Sequence, residues 1–181
     1  MTLYKELTLK PFIQKAIAEL GFETLTPVQN EVIKPALAGE SLIVQSQTGS
    51  GKTHSFLIPI FNNLDLKKQG VQVVITAPSR ELATQLYDFA KQIADYSEEE
   101  ISIVSYIGGT DKTKQLDRIK RTGQPQIVIG TPGRIFDLMS ENALWVQTAQ
   151  TLIVDEADMT MDLGFLATVD EIASRMRADV Q

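Results

Sequence analysis

The chain has 181 residues, of which 43% are hydrophobic and 22% are charged, and its net charge is −6. This length fits one domain with a full-sized core. Because the chain has no cysteine and His54 is its single histidine, disulfides, thiol catalysis and histidine or cysteine metal clusters are excluded. The negative charge argues against a domain that coats nucleic acid indiscriminately, but it leaves a local binding site open.

The longest strongly apolar stretches, such as residues 56–61, are too short to span a bilayer. The N-terminal segment mixes Lys5, Glu6 and Lys10 among its apolar residues, which is unlike a signal peptide. We therefore expect a cytoplasmic protein with no membrane partner.

Strand-like apolar segments alternate with amphipathic, helix-like segments along the chain. We expect helices over residues 9–20, 26–37, 52–63, 80–94, 111–121, 132–140 and 164–177. We expect strands over residues 41–45, 72–77, 101–107, 126–130 and 151–154. This alternation predicts an α/β fold, with a mostly parallel sheet and helices on both of its faces. Polar clusters that follow such strands should gather at one edge of the sheet.

A glycine-rich segment follows the first predicted strand directly. It consists of Ser46, Gln47, Thr48, Gly49, Ser50, Gly51, Lys52 and Thr53. Glycines let several backbone N–H groups point at one anion, and the next helix presents its positive end there. In this pattern Lys52 reaches the β- and γ-phosphates and Thr53 ligates Mg²⁺. Although the usual pattern begins with Gly, and a flexible turn is the alternative, we expect a nucleoside triphosphate site.

Asp155 and Glu156 follow directly after the last predicted strand. A carboxylate in this position can hold Mg²⁺ through water, and an adjacent glutamate can polarise the attacking water. An acidic helix cap is the simpler alternative. Together with the phosphate loop, the pair predicts phosphoryl transfer with Lys52, Asp155 and Glu156 as catalytic residues and with Thr53 and Asp155 as metal ligands.

Several segments together resemble DEAD-box ATP-dependent RNA helicases, most of all bacterial members of the cold-shock type. They are residues 46–53, 78–83, 108–109, 131–134 and 155–158, in the order found in that family. The tail at residues 161–165 is also similar. The resemblance covers essentially the whole chain, and it implies a RecA-like P-loop NTPase domain that uses ATP and Mg²⁺.

Residues 21–29 resemble the family's adenine-reading Q motif. The resemblance implies that Gln29 hydrogen-bonds the adenine edge, that Tyr4 stacks on the ring in place of the usual Phe, and that Phe22 belongs to the same site. Thr26, Pro27 and Gln29 also form a helix capping box, so a cap is an alternative for Gln29. For Tyr4 the alternative is an ordinary core aromatic.

The resemblance further implies contacts to the sugar-phosphate backbone of single-stranded RNA. The residues are Pro78, Ser79, Arg80, Gly108, Gly109, Thr131, Pro132, Gly133 and Arg134. Loop N–H groups, hydroxyls and arginines hold phosphates without reading bases, so this binding should be independent of sequence and sensitive to salt. Ser46 and Ser79 replace the usual Ala and Thr. Asp158 would couple this domain to a second one.

In the family, a strand ending in Ser-Ala-Thr, a linker and a second RecA-like domain come after the position of Gln181. The resemblance therefore implies that residues 1–181 are the N-terminal RecA-like domain, without its last strand or strands and without the second domain. Because that domain supplies arginines to the γ-phosphate, the chain alone should hydrolyse ATP slowly. Nothing indicates protein partners.

Three other functions are alternatives to an RNA helicase. A different P-loop motor would respond to DNA rather than to RNA. A P-loop GTPase is disfavoured because the chain has no Asn-Lys-x-Asp sequence. A non-catalytic ATP-dependent RNA clamp would not need hydrolysis by Glu156. We favour the enzyme.

Overall fold

The computed structural model describes all 181 residues, which divide into two compact units. Unit 1 comprises Met1–Leu66, Phe89–Glu100 and Gln181, and unit 2 comprises Lys67–Asp88 and Ile101–Val180. The elements are a 3-10 helix at Tyr4–Glu6, α1 (Pro11–Glu19), α2 (Pro27–Leu37), α3 (Lys52–Asn63), β1 (Val73–Thr76), α4 (Arg80–Ala94), β2 (Ile103–Tyr106), α5 (Lys112–Thr122), β3 (Ile127–Gly130), α6 (Pro132–Ser140), β4 (Thr151–Val154), α7 (Ala157–Asp162) and α8 (Leu166–Ser174).

Unit 2 holds a four-stranded sheet in which every pair of neighbours is parallel. The strand order is β2-β3-β1-β4. All four residues of β1 and of β3 are buried, which explains why these strands read as continuous Val and Ile runs. The predicted α/β class with a parallel sheet is confirmed.

The core of unit 2 consists of apolar residues from the sheet and from three helices. Helix α5 contributes Ile119, α6 contributes Ile135 and Leu138, and α8 contributes Ile172. The loops before these helices set where they begin. The side chain of Asp111 accepts a hydrogen bond from the backbone N of Thr113 at 2.9 Å and so caps α5.

Unit 1 holds α1, α2 and α3, and α2 packs against α3. Helix α2 begins with the predicted capping box, which is confirmed because both of its hydrogen bonds are present. The rings of Phe12 and Phe61 meet edge to face, with centroids 6.4 Å apart, and join α1 to α3.

Residues 41–45, predicted as the first strand, form no strand. Leu42 is 43% exposed and Ile43 is fully exposed. A strand exists only with a hydrogen-bonded neighbour, and this segment takes part in no β pairing. The apolar composition was therefore a correct observation, but the prediction of a paired, buried strand was wrong.

The C-terminal helical region also differs from the prediction. The helix expected over residues 164–177 corresponds to α8, which is shorter, and an additional short helix, α7, precedes it, with Gly164 between the two at φ 80°. Helix α7 was missed because Met159 and Met161 are exposed and give no apolar face to recognise. None of the helices combines the length and the apolar character needed to cross a membrane.

Replacing Gly130 with Ala should strongly destabilise unit 2. A Cβ on Gly130 would lie 2.1 Å from the carbonyl oxygen of Tyr106, which is backbone of the paired strand and cannot turn away. We expect the free energy of unfolding, measured in urea, to fall by about 3 kcal/mol. Gly133→Ala is the control, because its Cβ would meet no atom within 4 Å. Equal stability of the two variants would contradict this prediction.

Candidate functional site

The predicted phosphate loop lies in unit 1 and leads directly into α3, which begins at Lys52. Gly49 has φ 81° and Gly51 has φ 89°, a left-handed backbone that glycine adopts without strain. The hydroxyl of Ser50 bonds that of Ser46 at 3.0 Å. Ser46, which replaces the usual first residue of the pattern, therefore helps to hold the loop in shape. The N-terminal N–H groups of α3 form an end of the helix where an anion can bind, and Lys52 and Thr53 are the first two residues of that helix.

Gln29 joins this loop to the N-terminal segment of unit 1. Its side chain is 3% exposed. Its Oε1 accepts from the backbone N of Thr26 at 3.0 Å and from the hydroxyl of Tyr4 at 2.5 Å. Its Nε2 donates to the carbonyl of Gly51 at 3.1 Å. The second hydrogen on Nε2 is left for a base. The contact with adenine itself stays a prediction.

Tyr4 occupies a core position, with 2% of its surface exposed. Burial raises the pKa of its hydroxyl to about 12. Its ring stacks on Phe22 with centroids 6.2 Å apart, and Phe22 in turn meets the ring of His54 edge to face at 5.0 Å. Burial lowers the pKa of His54. The structure gives Tyr4 a packing role, and its stacking on adenine stays a prediction, as does the contact of Phe22, which is only half-buried.

Unit 2 contains a cleft of about 570 Å³ at the carboxyl ends of β1, β2 and β3. It is lined by all the residues predicted to contact RNA except Gly109, and also by Glu81, Asp137 and Phe165. The lining residues of the predicted set are Pro78, Ser79, Arg80, Gly108, Thr131, Pro132, Gly133 and Arg134. Three segments that are distant in sequence therefore meet at the predicted sheet edge.

These three segments are also interlocked. The guanidinium of Arg80 lies against Gly109, where a Cβ would be only 2.2 Å from its Nη1. The backbone N of Gly108 donates to the hydroxyl of Thr131 at 3.4 Å. Nη1 of Arg134 donates to the carbonyl of Thr110 at 3.2 Å. Gly109 therefore belongs to the site, because its lack of a side chain leaves room for the guanidinium of Arg80.

The acidic pair follows β4 in unit 2. Asp155 is buried, and its backbone N donates to the carbonyl of Thr76 at 3.0 Å. Glu156 has φ 51° and ψ 53°, which is uncommon for a residue with a Cβ. Glu156 precedes α7, but its side chain makes no capping hydrogen bond, so an ordinary acidic cap does not explain it. Asp158 is exposed in the first turn of α7.

No group of three or more His, Asp or Glu side chains is arranged to hold a metal ion. Mg²⁺ in nucleotide sites usually takes one or two carboxylates and completes its shell with phosphate oxygens and water. The hydroxyl of Thr53 and the carboxylate of Asp155 are oxygen donors of the kind that Mg²⁺ prefers. The donor set therefore fits the predicted ion.

Comparison with known proteins identifies the family. A family model described as DEAD/DEAH box helicase matches residues 26–181. The chain belongs to the DEAD/DEAH box helicase family. The predicted family is thereby confirmed. Tyr4 and Phe22 lie before the matched region.

Two similar curated proteins come from bacteria. DEAD-box ATP-dependent RNA helicase CshB of Listeria monocytogenes is 54% identical over 178 residues, which are 98% of this chain and 40% of that protein. CshB of Bacillus subtilis is 51% identical over 181 residues, which are 99% of this chain and 41% of that protein. The chain thus spans about two-fifths of the length of these relatives.

A solved structure confirms the predicted RecA-like class of fold. The crystal structure of a DEAD box protein from the hyperthermophile Methanococcus jannaschii matches with a TM-score of 0.90 and 34% identity. The match covers 100% of this chain and 48% of the other. The family and the fold are therefore supported independently by sequence and by backbone geometry.

Two residues, one in the cleft lining and one behind it, have no role assigned from the sequence. Phe165 lines the cleft, although it lies in a segment that entered only as part of the family pattern. Gln115 bonds Arg134 from α5. A glutamine on the polar face of a helix carries no recognisable pattern, so only the fold could bring it to attention.

Replacing Gly51 with Ala should disturb Gln29 specifically. A Cβ there would lie 2.5 Å from Nε2 of Gln29, whereas Gly49 has a similar positive φ and no atom within 4 Å of its Cβ position. Both Gly51→Ala and Gly49→Ala bear backbone strain, so the difference between them reports the contacts of the new Cβ with Gln29 and with Oγ1 of Thr26, which would lie 3.0 Å away. We expect Gly51→Ala to be less stable by a further 1–3 kcal/mol, roughly the cost of an unpaired buried polar group. Equal urea midpoints would argue against this coupling.

Proposed function

We propose that the protein is an ATP-dependent RNA helicase and that residues 1–181 are its N-terminal RecA-like domain. The observation that carries the proposal is the cleft of unit 2. Three separate segments that are predicted to contact the RNA backbone come together there. Membership of the helicase family and the phosphate loop of unit 1 support the same function. We further propose that this enzyme acts in the cytoplasm.

In this proposal, ATP binds at the loop that ends in Lys52 and Thr53. Lys52 and the N–H groups at the start of α3 neutralise phosphate charge, and the amide of Gln29 meets the adenine edge. Glu156 orients and polarises the attacking water. When bound, Mg²⁺ neutralises developing charge on the phosphates, and Thr53 and Asp155 would hold it. Phosphoryl transfer needs mainly such positioned charge.

The cleft binds the sugar-phosphate backbone of single-stranded RNA. It offers two guanidinium groups, from Arg80 and Arg134, and the N-terminal end of α6 at Pro132. In this proposal these groups meet phosphates and sugars rather than base edges, so binding should tolerate any sequence and weaken with salt. The net charge of −6 is compatible with this, because RNA affinity depends on the groups that face the phosphates, and two arginines line the cleft.

The relatives are about two and a half times as long as this chain. We propose that the intact protein has a second RecA-like domain that supplies arginines to the γ-phosphate, completes the RNA cleft and is coupled to this one through Asp158. Closure of the two domains around ATP would bend and locally separate an RNA duplex. An arginine finger contributes a factor of about a thousand or more, so residues 1–181 alone should turn over ATP very slowly.

The nucleotide site is tested by the calorimetric affinities of ADP and GDP with Mg²⁺ present. Wild type should prefer ADP by about tenfold or more, and Gln29→Ala should lose most of that preference because its amide reads the base. Lys52→Ala is the control, since it should weaken both nucleotides alike. Equal affinity of wild type for ADP and GDP would contradict adenine recognition and leave only a phosphate loop.

The RNA cleft is tested by RNA-stimulated ATP hydrolysis of the intact protein. Gly109→Ala should raise the RNA concentration needed for half-stimulation by about tenfold, because the new Cβ would overlap the guanidinium of Arg80 and push it away. Gly123→Ala is the matched control, because Gly123 has a φ of 81°, similar to the 76° of Gly109, no atom within 4 Å of its Cβ position, and no place in the cleft lining. If single-stranded DNA stimulated wild type as well as RNA does, a DNA motor would replace the proposed enzyme.

A further inference from the structure

Gln115 connects two of the segments that form the cleft, although it does not line the cleft itself. Its Oε1 accepts from Nη1 of Arg134 at 2.8 Å. Its Nε2 donates to the hydroxyl of Thr110 at 2.7 Å and to the carbonyl of Ile107 at 3.5 Å. One amide on α5 therefore holds both the loop after β2 and the arginine of α6.

The same small network fixes Arg134 from a second direction. Nη1 of Arg134 also donates to the carbonyl of Thr110 at 3.2 Å. The hydroxyl of Thr110 donates to the carbonyl of Ile107 at 2.7 Å, which leaves its oxygen free to accept from Gln115. Each bond in the set supports another, so the guanidinium of Arg134 is held before any ligand arrives.

The ion pairs made by the charged residues near Arg134 explain why this arginine has a neutral partner. Asp137 lies three residues after Arg134 on α6, a spacing at which the two would be expected to pair. Asp137 instead pairs with Nζ of Lys112 at 3.3 Å, and Lys112 also bonds Glu141. No ion pair joins Arg134 to Asp137. Lys112 thus draws the carboxylate of Asp137 away, and Arg134 receives a neutral amide as its partner.

We propose that Gln115 is a positioning residue for RNA, which orients Arg134 and keeps its full positive charge available to a phosphate in the cleft. The inference rests on the RNA cleft of the proposed function. A glutamine can accept a hydrogen bond from a guanidinium without cancelling its charge, whereas a carboxylate in the same place would form an ion pair. A side chain ordered in advance also loses less conformational entropy when the ligand binds.

The test measures binding of a fluorescent single-stranded oligouridylate to the intact protein, with a non-hydrolysable ATP analogue, between about 50 and 200 mM salt. Gln115→Glu keeps the size of the side chain but places a negative charge beside Arg134. We expect it to lower the slope of log affinity against log salt by about 0.7, the value for one phosphate contact, as Arg134→Ala should. Gln115→Ala should weaken binding by about three- to tenfold with little change of slope.

Gln124→Ala is the matched control. Gln124 is another half-buried glutamine of unit 2 with two hydrogen bonds, from its Nε2 to the carbonyl of Ala143 at 2.8 Å and from the backbone N of Trp145 to its Oε1 at 2.9 Å. It does not line the cleft. A merely structural role of Gln115 would give Gln115→Ala and Gln124→Ala the same effect on RNA affinity, which would overturn the inference.

The remaining outcomes separate this inference from the proposed function. If Arg134→Ala weakens RNA binding while Gln115→Glu leaves the affinity and the salt slope unchanged, the inference is wrong and the RNA cleft stands. If Arg134→Ala itself binds RNA like wild type, the proposed cleft is wrong and the inference falls with it. Should Gln115→Ala fold poorly, Gln115→Glu still decides, because its slope change depends on charge rather than on stability.

Discussion

The in-register pairing of four parallel strands is the constraint on which the rest of unit 2 depends. Thr76 of β1 lies opposite both Gly130 and Val154, and Tyr106 of β2 also lies opposite Gly130. All four strands therefore end at one level, and each delivers its polar segment there. A shift of one residue in any pair would turn side chains to the wrong face and separate segments that now interlock.

In unit 1 the equivalent constraint is the set of buried hydrogen bonds made by Gln29. The side-chain amide of Gln29 accepts hydrogen bonds from the backbone N of Thr26 and from the hydroxyl of Tyr4, and it donates one to the carbonyl of Gly51. Because an unpaired polar group at this depth would be costly, the N-terminal segment, α2 and the phosphate loop are held in a single arrangement. The geometry of the loop is thereby linked to a side chain twenty-two residues earlier.

Most of the fold and much of the site could be predicted because they depend on local chemistry. Helices α3, α4 and α6 begin and end at the predicted residues, and their starts are marked by glycine, by serine and by threonine with proline, respectively. The strand at residues 41–45 was predicted wrongly because pairing depends on a neighbour that composition does not reveal. Gln115 could not be predicted either, because its importance lies in a contact with a residue nineteen positions away.

Glu156 shows how this chain exchanges stability for chemistry. Its left-handed backbone would suit Gly or Asn better, and a residue with a long side chain at such a position costs on the order of 1 kcal/mol. The carboxylate caps no helix that could compensate for this. A substitution chosen only to make the protein more robust would therefore remove the group proposed to activate water. Under the proposed function, selection for stability and selection for catalysis would act in opposite directions at this residue.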